Sequence, residues 1–205
     1  MDLLAAYRVD DLIPESGTVR LVFLLESPHT HEIIHKVPLA GSAGKSVSRF
    51  LARRVAIFRE WDRRTPFGLH LQRHPVLGMA LLNASNYPLD KTAYRPEDYL
   101  LHKDLIDAWD YLRRNPATQA RTHPRIRELR ETMARGLRER TGKLPSDALI
   151  IPCGQFARKI LTFSAVPASM CYPKCVPHPA RNQWDNDRNF EDVEGFLKAI
   201  EERIG

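Results

Sequence analysis

The chain is short of cysteine and has no long apolar run. Its three cysteines are an odd number, which argues against a disulfide framework. Cys153, Cys171 and Cys175 also fall one ligand short of a four-cysteine cluster, so no metal centre of that kind is expected. No apolar stretch approaches the roughly 20 residues of a membrane-spanning helix. The opening residues, MDLLAAYRVDDLIPE, are too acidic and too poor in apolar length for a secretory signal. The expected location is the cytoplasm. No repeat or low-complexity tract interrupts the 205 residues, a length that suits one domain (1–205) with a sizeable core.

What is present is a globular mixture with a basic excess. Hydrophobic residues make up 43% and charged residues 27%, which is ordinary for a globular domain. The formal net charge of +6 fits either a solvated basic surface or a polyanionic partner. The excess collects in residues 113–143, with smaller clusters at 49–64 and around Arg181.

Four segments read as short buried strands: 21–26, 78–84, 148–153 and, more weakly, 170–176. The first three are continuous apolar runs, as expected of strands covered on both faces. Helical periodicity separates them at 46–61, 96–112, 124–140, 155–161 and 190–204. Alternating strands and helices predict an α/β fold, a three-layer α/β/α sandwich around a four-stranded, mainly parallel sheet. Residues 113–146 read as a basic helical insertion. Ligands of such sheets collect at the carboxyl ends of the strands. Each strand delivers polar residues there: Glu26-Ser27-Pro28-His29, Asn83-Ala84-Ser85-Asn86, Cys153-Gly154-Gln155 and His178-Pro179-Ala180-Arg181-Asn182.

Two motifs in the first 50 residues compete for attention. HEIIH has the letters of a zinc-hydrolase helix, with His31 and His35 four apart and Glu32 as base. Pro28 and Pro38 confine that helix to about two turns, and no third ligand follows at close spacing. A short turn with Ile33 and Ile34 inward is the plainer expectation. GSAGKS has most of a phosphate loop, but Leu39 stands where Walker A needs its first glycine. A helix start remains, where Gly41, Ser42, Gly44 and Lys45 suit a phosphate oxygen.

The strand-end motifs together resemble the uracil-DNA glycosylase superfamily. Leu25-Glu26-Ser27-Pro28-His29 followed by Pro38-Leu39-Ala40-Gly41-Ser42-Ala43-Gly44 is similar to the first motif region of the iron–sulfur branch, without its paired cysteines. Leu81-Leu82-Asn83-Ala84 is similar to the strand bearing a base-reading asparagine. Residues 151–157, Ile-Pro-Cys-Gly-Gln-Phe-Ala, resemble the strand, glycine and helix before the last motif. His178-Pro179-Ala180-Arg181-Asn182 resembles the last motif of the single-strand-selective branch. The resemblance implies base excision from DNA by base flipping, with DNA as the partner, a monomeric protein, and no cofactor or metal.

That resemblance also implies roles. Glu26 would stabilise the sugar cation and orient water, with Ser27 beside it, and His178 would stabilise the departing base. Pro28, His29, Leu39 and Asn83 would form the base pocket. Gly41, Ser42, Lys45, Arg181 and Asn182 would hold DNA. Ser27 departs from the residues usual at its position, and Leu39 replaces an aromatic that stacks on the base. A catalytically inactive nucleic-acid-binding relative is the second expectation and the zinc hydrolase the third.

Overall fold

The computed structural model describes residues 4–14, 18–75, 78–117, 123–174, 176–185 and 192–204, with the backbone alone for 182 and 185. Among them, β1 (Leu21–Leu25), β2 (Met79–Asn83) and β3 (Leu149–Pro152) form one parallel sheet in the order β2-β1-β3. All of β1 and β2 is buried, which explains their unbroken apolar sequence. Alternation along the strands divides the core in two. Leu21, Phe23, Leu25, Met79, Leu81 and Ile151 pack on one face with α2 (Ser42–Arg54), α3 (Phe67–Arg73) and α8 (Val193–Ile204). Val22, Leu24, Ala80, Leu82 and Ile150 pack on the other with α5 (Lys103–Arg114), α6 (Pro124–Thr141) and α7 (Gln155–Phe163).

The fourth expected strand, 170–176, is not a strand among the described residues. Cys171 and Val176 each make a single parallel bridge, to Ile150 and Cys153 of the β3 edge. Pro173 lies between them and has no N–H to continue a ladder. Cys175 lies outside the described residues.

Helix boundaries also differ from the sequence pattern. Helix α2 begins at Ser42, inside the glycine-containing motif, and ends where Val55 turns extended at φ −118 and ψ 121. The expected 96–112 helix is two, α4 (Pro96–Leu101) and α5, broken at His102 with φ −117 and ψ 22. No helix among the described residues is long and apolar enough to cross a membrane.

Helix α6 is tied to the end of β2 by Arg140. Arg140 of α6 sends Nη1 to Asp11 Oδ1 at 2.6 Å and Nη2 to the Asn83 and Ala84 carbonyls at 2.8 and 3.2 Å. It therefore joins α6, the end of β2 and the N-terminal segment. Arg140→Met is expected to cost about 3–5 kcal/mol, because Asp11 loses its ion-pair partner in a largely buried setting and keeps the Asn86 amide at 3.4 Å. Thermal unfolding followed by circular dichroism should show a midpoint lower by roughly 6–20 °C.

Candidate functional site

From β1 the chain passes to β2 on one side, then returns to β3 on the other. Ligands bind in the crevice at such a switch point, outside the carboxyl ends of the strands. A cavity of about 430 Å³ opens there, within the range of about 300–1,000 Å³ typical of small-molecule sites. The end of β1 lines it with Glu26, Ser27, Pro28 and His29. The following loop adds Leu39, Gly41 and Ser42, and the last loop adds His178 and Arg181. Of the residues given roles by that resemblance and described with their side chains, Asn83 and Lys45 stand outside this wall.

Glu26 meets a partner that the sequence reading missed. Its Oε1 lies 3.8 Å from Nη1 of Arg113, the cavity-lining arginine at the end of α5. Nη2 of Arg113 lies 3.2 Å from Asp90 Oδ2 and 3.0 Å from Asp110 Oδ1. Asp110 is buried and also binds Arg114 at 2.7 Å. One guanidinium thus faces three carboxylates from three segments. Burial pushes the Glu26 carboxyl above its ordinary 4.5, Arg113 opposes that rise, and Asp90 adds to it. A signal for Arg113 was available. It falls four residues after Trp109 and seven after Ile106, on the helix stripe that packs inward. Asp90 carried no comparable signal.

His178 is positioned from β3. The Val176 carbonyl accepts the Gly154 N–H at 2.8 Å, carrying the last loop along the β3 edge. Trp184 anchors the far side of that loop. Its indole N–H donates to the Pro177 carbonyl at 2.8 Å, and its buried ring meets Phe23, Phe50 and Phe196 edge to face. Gly154 has φ +100, a conformation that favours glycine, and a Cβ there would press to 3.1 Å from the His178 Cβ. Burial, with Arg113 acting in the same direction, lowers the His178 pKa to about 4. The ring is neutral at neutral pH. Its Nδ1 accepts the Ala180 N–H at 3.1 Å, which assigns the single ring proton to Nε2 and makes that atom a donor.

HEIIH occupies α1 (Thr30–His35), and its glutamate has a structural task. The Glu32 carboxylate accepts the backbone N–H of His29 at 2.8 Å and that of Leu39. Burial pushes its pKa up to about 7, against the downward pull of the Leu39 and His29 bonds. Glu32 therefore brackets the loop to the helix start, where the zinc reading needs a free base. The expectation of two inward isoleucines fails for Ile34, which is 67% exposed. Ile33 packs beside the small Tyr7–Tyr94 cluster. Among the described residues, no three His, Cys, Asp or Glu side chains are grouped to hold a metal ion.

The glycines beyond that bracket serve packing. Leu39 is in the left-handed region at φ 55 and is 2% exposed. A Cβ on Gly44 would sit 1.8 Å from the Leu39 carbonyl oxygen, and one on Gly68 would sit 1.8 Å from that of Pro38. The Pro38–Leu39 turn is thus gripped from two helices. Lys45 lies in the wall of a second cavity, of about 450 Å³.

Asn83 is paired in register with Leu25 and is buried, and both ends of its amide lack a hydrogen-bond partner among the described residues. It does not reach the cavity wall. Ser27 Oγ accepts the Leu89 N–H at 3.4 Å. Asn182 belongs to the 3-10 turn Ala180–Asp185, and its side chain is outside the described residues. No protein-family model matches the chain, and a search of curated proteins found no match.

Proposed function

We propose that the chain is a DNA glycosylase-like protein that hydrolyses the N-glycosidic bond of a deaminated or damaged base. The observation that carries this reading is the meeting of Glu26 and His178 in the wall of one cavity at the sheet's switch point. Breaking the bond leaves positive charge on the sugar, while the bonding electron pair departs with the base. The Glu26 carboxylate stabilises that cation and accepts a proton from the attacking water. Neutral His178 donates its Nε2–H to the departing base, which needs a hydrogen bond and not a full proton at that oxygen. Arg113 opposes the rise that burial imposes on the Glu26 carboxyl.

DNA as partner, a monomeric protein, a single domain in three layers and a cytoplasmic location accompany this reading. A non-catalytic nucleic-acid binder is the second reading. It is favoured by the Ser27 hydroxyl being bound to Leu89 and by Glu26 leaning on Arg113. The test is incubation with oligonucleotides carrying uracil, hypoxanthine or oxidised bases, followed by alkali. Strand breaks at one lesion are expected. Binding without breaks across the panel would leave the second reading.

A further inference from the structure

Beside the first cavity lies the second, and the two share His31, Gly41 and Ser42. Their charges differ. The first includes the carboxylates Glu26, Glu32 and Asp90 in its wall, whereas the second has none. Its polar wall is His31 and His35 of α1, Lys45 of α2, Arg64 of the loop before α3, and Arg73 of α3. Among the described residues, Lys45, Arg64 and Arg73 form no salt bridge. Asp62 accepts the Arg64 backbone N–H at 2.9 Å and the Thr65 hydroxyl at 2.8 Å, and stays out of the wall.

Cationic side chains from three segments converging on one hollow, with no carboxylate in its wall, favour a bound polyanion. Gly41, which lines both hollows, gives α2 no side-chain cap.

We infer that this second hollow binds backbone phosphates of the nucleic-acid strand whose base enters the first cavity. The strand crosses from one hollow to the other over Gly41 and Ser42. Lys45, Arg64 and Arg73 hold the flanking phosphates, and His31 lies on the boundary. The inference rests on reading the first cavity as a base pocket.

The test is the salt dependence of binding, followed by fluorescence anisotropy with a labelled single-stranded deoxyoligonucleotide. Wild-type protein is compared with the triple variant K45E/R64E/R73E and with Glu26→Gln. The three cationic side chains are exposed, so the triple variant should fold; the milder K45Q/R64Q/R73Q variant replaces it if circular dichroism shows otherwise. Each phosphate contact on a single strand contributes about 0.7 to the log–log salt slope. The triple variant should lose about two from that slope and bind at least about tenfold more weakly near 0.1 M salt. Glu26→Gln should keep the wild-type slope.

An unchanged slope in the triple variant overturns the inference, as does a wild-type protein that binds no oligonucleotide at low salt. Polyglutamate competing as well as the oligonucleotide would assign the hollow to an acidic protein and overturn it too. The two readings fail separately. Cation-dependent binding with no base lost from any lesion ends the excision reading and leaves the hollow standing. Base excision with KM unchanged in the triple variant ends the hollow and leaves excision standing.

Discussion

Glu26→Gln is expected to slow base excision by about 10²–10⁴-fold, the usual contribution of a positioned acid–base group. Glutamine keeps the shape of the side chain but can neither carry the charge nor accept the water's proton. Arg113 retains Asp90 and Asp110 in that variant, so the unfolding midpoint should change little. Single-turnover cleavage of the preferred lesion reads the rate, and a rate equal to wild type would remove Glu26 from the chemistry.

The pH profile gives the same prediction a sign. In the proposed mechanism excision needs ionised Glu26, whose pKa is raised above 4.5, mainly by burial. Activity should therefore fall as the pH drops toward that raised value. His178 stays neutral until the pH approaches about 4, so it does not set this limb. Arg113→Met removes the charge that favours the Glu26 carboxylate and should move the limb to higher pH. Activity that instead climbs as the pH falls toward 4 would assign the step to a protonated His178.

Gly44→Ala is expected to cost about 3 kcal/mol or more, at the upper end for overpacking a tight interior. The added carbon would lie 1.8 Å from the Leu39 carbonyl oxygen, a backbone atom that cannot rotate away. The midpoint should fall by at least roughly 6 °C. Gly41→Ala is the internal control. Its Cβ would meet the His31 side chain, nearest at the Cβ, 3.3 Å away, so a much smaller loss is expected. Equal losses in the two variants would contradict the grip on Leu39. A loss of phosphate binding without loss of stability at Gly44 would return that motif to an anion-binding role.

Much of the sheet was legible because buried parallel strands have little freedom of composition. The runs LVFLL, MALLN and LIIP can hardly be anything else. The carboxyl-end rule then brought Glu26, Ser27, His29 and His178 to one place before any geometry was known. The sequence failed where tertiary contacts decide. Residues 170–176 carry strand-like side chains, but Pro173 breaks the ladder and leaves two isolated bridges. Glu32 looked chemical because its neighbours were histidines, while its task is fixed by the Leu39 N–H seven residues away. Arg113 looked like surface charge because arginines surround it, although its helix phase points inward. Asn83 sits where the motif predicts, yet burial keeps it off the wall.

The grip on Pro38–Leu39 has a consequence for selectivity. One wall of the cavity hangs from Glu32 and is pressed between Gly44 and Gly68, so it cannot swing aside like a lid without undocking two helices. Under the base-excision proposal, recognition by this wall is by exclusion: a base either fits the gap or is refused at the same threshold each time. Widening it for a bulkier base calls for a smaller residue at position 39, and loosening the loop would dismantle the wall instead of opening it.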